Sequence, residues 1–163
     1  MTRLMALDVG KVRIGVAISD ATGFLASPYT TLRVTRDEEQ LWKAIQHLID
    51  ETETGGLVIG LPISLDGEIH SQGERVQAFA ERLKEHVTIP LTFWDERLST
   101  VEAERLLSQR REAERGKHRQ ASARKRDQAK RRGRKQEVDA LAAAVILQEY
   151  LDQQASKTRG TDV

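Results

Sequence analysis

Residues 4–9 read Leu-Met-Ala-Leu-Asp-Val, apolar at every position except Asp8. A run this short, with no polar alternation, marks a strand covered on both faces. It calls for a sheet with packing on either side, and so for an α/β layer architecture. Gly10 and Lys11 supply a turn after it, and Arg13–Ser19 alternates more, which gives a β-hairpin. Tyr29–Val34 is expected as the third strand of an antiparallel meander.

The hydrophobic period then changes. Thr35 and Glu38 have capping-box spacing, and Leu41, Ala44, Ile45, Leu48 and Ile49 follow at helical intervals. Gly55-Gly56 is expected to end that helix before a buried strand over Leu57–Leu61. Ser71 and Glu74 mark a second box, with Val76, Phe79, Ala80 and Leu83 on one face. Ile89–Trp94 reads as a fifth strand. Ser99 and Glu102 form a third box, ahead of Val101, Leu106 and Leu107. A last helix is expected from about Gln136 to Leu151. The fold class is therefore α/β: a mixed five-stranded sheet, order 3-2-1-4-5 if the first strand is central, with helices packed on it.

With 163 residues the chain supplies one domain, expected over 1–151, with a polar, frayed tail over 152–163. From Ser108 to Glu137 no Val, Ile, Leu, Met or aromatic residue occurs. That stretch is expected to be a mobile basic insertion, transiently helical and interrupted at Gly116 and Gly133. No apolar run approaches the roughly 20 residues that span a bilayer, and no secretory leader pattern opens the chain. A cytoplasmic protein without membrane contact is expected. The absence of cysteine rules out disulfides, thiolate zinc sites and cysteine nucleophiles.

A net charge of +1 hides an asymmetry. Arg110–Lys135 holds 13 Lys and Arg against three acids, a local charge of +10, while the remainder carries −9. Such a segment fits a polyanion partner. It carries no aromatic residue, so phosphate neutralisation rather than base stacking is its expected mode. Arg124, Lys125, Arg126, Lys130, Arg131 and Arg132 are its candidate nucleic-acid contacts. Lys11 and Arg13 are two more, in the hairpin, although both also read as ordinary surface charges.

Asp8 ends a run in which a carboxylate is costly to bury unless paired or metal-bound, though a turn aspartate is the plain alternative. Asp95-Glu96-Arg97 follows the fifth strand, where open α/β sheets gather their sites, and reads equally as an exposed loop. Asp139 is expected in the first turn of the last helix, where the macrodipole alone favours an anion. The alanines beside it would let the helix approach the sheet, with Val138, Leu141, Val145 and Ile146 packing. Asp66, in a turn-rich loop at the same edge, is a reserve ligand below Glu96. Carboxylates converging in this way suit Mg²⁺ or Mn²⁺, and a pair of such ions suits phosphodiester hydrolysis. His47, His70, His86 and His118 are scattered singly.

Ala6-Leu7-Asp8-Val9-Gly10 with Arg13–Asp20 resembles the opening of the YqgF family of RNase H-like nucleases. Gly60-Leu61-Pro62 with Asp66-Gly67, Asp95–Thr100 with Glu102-Ala103-Glu104, and Val138-Asp139 with Ala142-Ala143 through Gln148 continue the pattern. The resemblance spans Met1 to Leu151. It implies Asp8, Glu96 and Asp139 as catalytic, metal-binding acids, with Asp95 a close rival to Glu96. It also implies a nucleic-acid substrate: either 5′-end maturation of a 16S ribosomal RNA precursor or resolution of branched DNA at a Holliday junction. Two symmetric cuts in a junction would call for a homodimer. The segment before Asp139 is longer and richer in arginine than the family pattern, which puts binding mode and substrate preference in question. Two rivals stand beside this reading. One is an ATP-binding protein of the actin and sugar-kinase type, which needs two such domains. The other is a non-catalytic ribosome-assembly factor that works through its basic segment.

Overall fold

The two covered faces expected of the first strand are realised as two different packed faces. The computed structural model describes residues 2–63, 66–95 and 124–160, with side chains of the last stretch from 137 to 159. Strands β1 (Arg3–Val9) and β2 (Arg13–Ser19) form the hairpin, with Asp8 directly opposite Gly15. β3 (Ala26–Arg33) adds antiparallel to β2. β4 (Thr54–Leu61) pairs parallel with β1, and β5 (Leu91–Asp95) parallel with β4. The order is β3-β2-β1-β4-β5, as the sequence leads one to expect.

β3 begins three residues earlier than its sequence pattern indicates. A tight turn brings the chain back sooner: Asp20 accepts from the backbone N–H groups of Phe24 and Leu25, at 2.8 and 3.3 Å. The Asp20 N–H in turn donates to the Leu25 carbonyl at 2.9 Å. Polar turn residues decide this boundary, not hydrophobic period.

Helix α1 (Glu38–Thr52) buries Leu41, Trp42, Ile45, Leu48 and Thr52. Its N-cap is Asp37, which accepts from the Glu39 N–H, rather than Thr35, whose hydroxyl donates to the Asp37 carbonyl. Glu38 and Glu39 then lie in the first turn, where the macrodipole favours them. The helix ends at Glu53, in the left-handed conformation (φ 55°), so the chain enters β4 at once. Gly55-Gly56 lies inside β4 and does not stop the helix. Helix α2 (Ser71–Lys84) buries Val76, Phe79, Ala80 and Leu83 as expected. Its N-cap is His70, without a side-chain cap bond, so Ser71 is the first helical residue and not the cap. The helix expected after Ser99 lies outside the described residues.

Helix α3 (Arg124–Gly160) corrects the expected boundaries most. It begins at Arg124 rather than near Gln136 and runs through Gly133 without a break. It also continues to Gly160, where a frayed tail was expected. The second half of the basic segment is thus helical; its first half lies outside the described residues. Among the described residues, no helix is long and apolar enough to cross a membrane.

The core has two parts. Met5, Leu7 and Val9, with Ile14, Val16, Leu57, Ile59 and Leu61, face α1 and α2. Ala6, Ala17 and Val58 face α3, against Ala143, Ala144, Ile146, Leu147 and Leu151. Small side chains on both partners let α3 lie close to the sheet. Full burial of a side chain such as Leu147 contributes about 1.5–3 kcal/mol.

Candidate active site at the carboxyl edge of the sheet

Leu4 and Ala6 belong to the α3 side of β1, and Met5, Leu7 and Val9 to the other. Side chains alternate with period two, so Asp8 projects toward α3, and it is half-buried there. Its cross-strand partner is Gly15. Facing positions of an antiparallel pair hold side chains about 5 Å apart. At Gly15 that space is taken by α3: a Cβ there would stand 1.9 Å from the Asp139 carbonyl oxygen and 2.9 Å from the Ala140 nitrogen. The absent side chain lets the helix backbone seat itself beside Asp8. Residues from opposite ends of the fold are joined in this way.

Arg13, two residues before Gly15 on the same face, completes the junction. Its Nε–H donates to Asp139 Oδ2 at 2.8 Å, with both side chains about a quarter exposed (27% and 28%). Asp139 is not in a first helical turn, because α3 begins at Arg124. The macrodipole therefore does not explain this acid, whereas the ion pair and the edge position do. The packing around it also differs from expectation. Val138, Leu141 and Val145 are half-buried, and the tight contacts come from the alanines, Ile146, Leu147 and Leu151.

Two strands parallel to β1 end at the same edge. Leu91 and Phe93 pack toward α1 and α2, and Trp94 toward α3. Alternation therefore sets Asp95 on the side of the sheet away from Asp8. Glu96 itself lies outside the described residues. Lys11 is exposed in the hairpin turn, which is held by bonds from the Gly10 N–H to the Arg13 carbonyl and from the Val34 N–H to the Val12 carbonyl. Arg124, Lys125, Arg126, Lys130, Arg131 and Arg132 lie on α3 upstream of Asp139, within roughly 20 Å of added helix.

Asp66 follows β4 at this edge. It accepts from the Glu68 N–H at 2.9 Å and pairs with His70 Nε2 at 3.2 Å. The Glu68 N–H, and then the His70 contact, hold the Asp66 carboxyl below its ordinary pKa. Asp66, Glu68 and His70 bring three ligand-type atoms within 4.8 Å of one another, a group that could hold a metal ion. In sequence His70 stands among scattered histidines, and the spacing Asp66-x-Glu68-x-His70 is the signal that joins it to this group. The Arg13–Asp139 pair had none, since its members are 126 residues apart.

Comparison with known proteins bears on the family and the fold. A family profile described as RuvX, Holliday junction resolvase, matches residues 2–124. A protein of Thermoanaerobacter pseudethanolicus named "Putative pre-16S rRNA nuclease" is 41% identical over 155 residues, covering 95% of this chain and 99% of its own length. One of the same name from Caldanaerobacter subterraneus is 41% identical over 152 residues, covering 93% and 97%. Among solved structures, Thermus thermophilus RuvC in complex with a Holliday junction superposes with a TM-score of 0.53 at 10% identity, over 96% of this chain and 97% of that one. That likeness is one of fold, and it identifies the sheet as RNase H-like. By profile, and by identity along nearly its whole length, the chain belongs to the RuvX family, the family its motifs resemble under the name YqgF.

Proposed function

We propose that the chain is a divalent-metal-dependent nuclease that hydrolyses phosphodiester bonds of structured nucleic acid, with a 16S ribosomal RNA precursor as its substrate. The observation that carries this reading is the seating of Asp139 over Gly15, across the ladder from Asp8. It brings two carboxylates, distant in sequence, to one edge of an RNase H-like sheet.

The residues fit a hard cation. Carboxylate oxygens are the donors that Mg²⁺ and Mn²⁺ prefer, and the chain has no cysteine to favour a softer metal. Asp8 and Asp139 would hold the metal, and Glu96 would join them rather than Asp95, whose strand position turns it to the other side. Asp66 stays a reserve ligand. Bound ions of this kind activate water and stabilise the leaving oxygen in phosphodiester hydrolysis. The chain's own residues bind and orient around that chemistry. Exposed Lys11 and the α3 residues Arg124, Lys125, Arg126, Lys130, Arg131 and Arg132 engage phosphates along the substrate. An intracellular RNA substrate goes with a cytoplasmic location.

The description of the family profile favours a second reading, resolution of four-way DNA junctions, in which two copies act as a homodimer. Cleavage by wild type and Asp8→Asn, with Mn²⁺, Mg²⁺ or EDTA, on a ribosomal RNA precursor and a four-way DNA junction separates the two. Metal-dependent cutting of the precursor by wild type alone is the expected result. Cutting of the junction alone selects the second reading. Salt-sensitive binding without cutting of either makes the chain a binding factor.

A further inference from the structure

Arg13 sits where a phosphate contact would be placed from sequence, yet its guanidinium is turned inward. Its Nε–H donates to Asp139 Oδ2 at 2.8 Å, and its side chain is 27% exposed. Its backbone is fixed by pairing with Arg33 in the β2–β3 ladder. The Asp139 backbone is fixed two residues along, over Gly15. One strand therefore grips the same helical residue twice, at its main chain and at its carboxylate.

We infer that Arg13 is a positioning residue, which orients the Asp139 carboxylate for metal and leaves substrate phosphate to Lys11 and the basic part of α3. The inference builds on the proposed metal site. An aspartate in mid-helix has two side-chain torsions to fix, and a charge-assisted bond to one oxygen removes that freedom while the second oxygen keeps its lone pairs. Groups that orient metal-binding carboxylates in this way set metal affinity without touching the metal. A phosphate contact behaves differently: it contributes to the salt dependence of nucleic-acid binding whether or not metal is present.

The test uses the full chain as wild type, Arg13→Gln, Arg13→Lys, Asp8→Asn and Asp139→Asn. Mn²⁺ binding is measured by titration calorimetry without nucleic acid. Binding of a ribosomal RNA precursor fragment is measured in EDTA as a function of salt. Arg13→Gln is expected to weaken Mn²⁺ binding about 10- to 100-fold. Arg13→Lys should recover part of the loss, and thermal unfolding of that variant guards against misfolding. The salt slope in EDTA should stay at the wild-type value, and in cleavage kcat should fall with KM unchanged. Mn²⁺ binding lost in Asp8→Asn and Asp139→Asn but intact in Arg13→Gln would overturn the role of Arg13 alone. A salt slope reduced by about one in Arg13→Gln would do the same, and return Arg13 to the phosphate contacts. Wild-type Mn²⁺ binding by both aspartate variants would overturn the metal site, and this role with it.

Discussion

The main chain of Asp139 occupies the space that a side chain at Gly15 would fill, with its carbonyl oxygen 1.9 Å from where a Cβ would be. No rotamer change relieves such an overlap, because a Cβ is placed by its own backbone and its partner is main chain. Gly15→Ala must lift α3 or bend β2, at a cost of about 1–3 kcal/mol or more, typical of overpacking. Urea unfolding would measure it, and cleavage should fall further than stability because the lift separates Asp139 from Asp8. A fully active, equally stable Gly15→Ala protein would mean that α3 does not rest on β2 as described.

The alanine-rich contact between α3 and the sheet depends on a few large side chains for its hydrophobic area. Leu147 is completely buried there. Leu147→Ala should cost about 2–5 kcal/mol in denaturant unfolding. A loss under 1 kcal/mol would place the stability of the domain almost wholly on the α1 and α2 side.

The turn between β2 and β3 is expected to make stability depend on pH. The Phe24 N–H is the chief group holding the Asp20 carboxyl below the usual carboxylate range. A carboxyl whose folded pKa is depressed stabilises the fold above its unfolded value, and that contribution is lost as pH falls through the folded one. Asp20→Ala should therefore lower the unfolding midpoint at neutral pH and leave it unchanged in strong acid. An equal loss at both pH values would show that the turn works through shape and not through the ionised carboxylate.

If the basic part of α3 carries phosphate contacts, replacing Lys130, Arg131 and Arg132 together with Gln should flatten the salt dependence of nucleic-acid binding. Each lost contact removes about 0.7–0.9 from the slope of log K against log salt. Three lost contacts give a fall of about two to three. An unchanged slope would move the contact surface elsewhere on the chain.

The buried strands, the helix faces and the place of Asp8 near the end of β1 were legible because each follows from hydrophobic period, which is local; the sheet order followed only on the condition that β1 is central. Leu57–Leu61, Val76, Phe79 and Leu83 announced their surroundings in this way. Helix limits were less legible. Asp37 and His70, not Thr35 and Ser71, cap α1 and α2, because a capping-box spacing can be met one or two residues from the true start. At Gly133 the low helix propensity of glycine was overridden by the residues on either side. Arg13–Asp139 and Gly15–Asp139 could not be read at all, since nothing in either neighbourhood records which distant segment will lie against it. The placement of Asp95 away from Asp8 became plain only once Trp94 was seen to pack toward α3.

The alternation of β1 also acts as a form of quality control. Met5, Leu7 and Val9 build one face, and Ala6 and Asp8 the other. A slip of one residue in pairing would turn Asp8 into the apolar cluster that Met5, Leu7 and Val9 build against α1 and α2, and move Leu7 to the half-buried edge position on the α3 side. Such a chain would forfeit its core and bury a carboxylate, so it could not persist as a folded species. Any molecule that survives folding therefore already presents Asp8 toward α3, and counting folded chains becomes equivalent to counting chains whose first acid is in place.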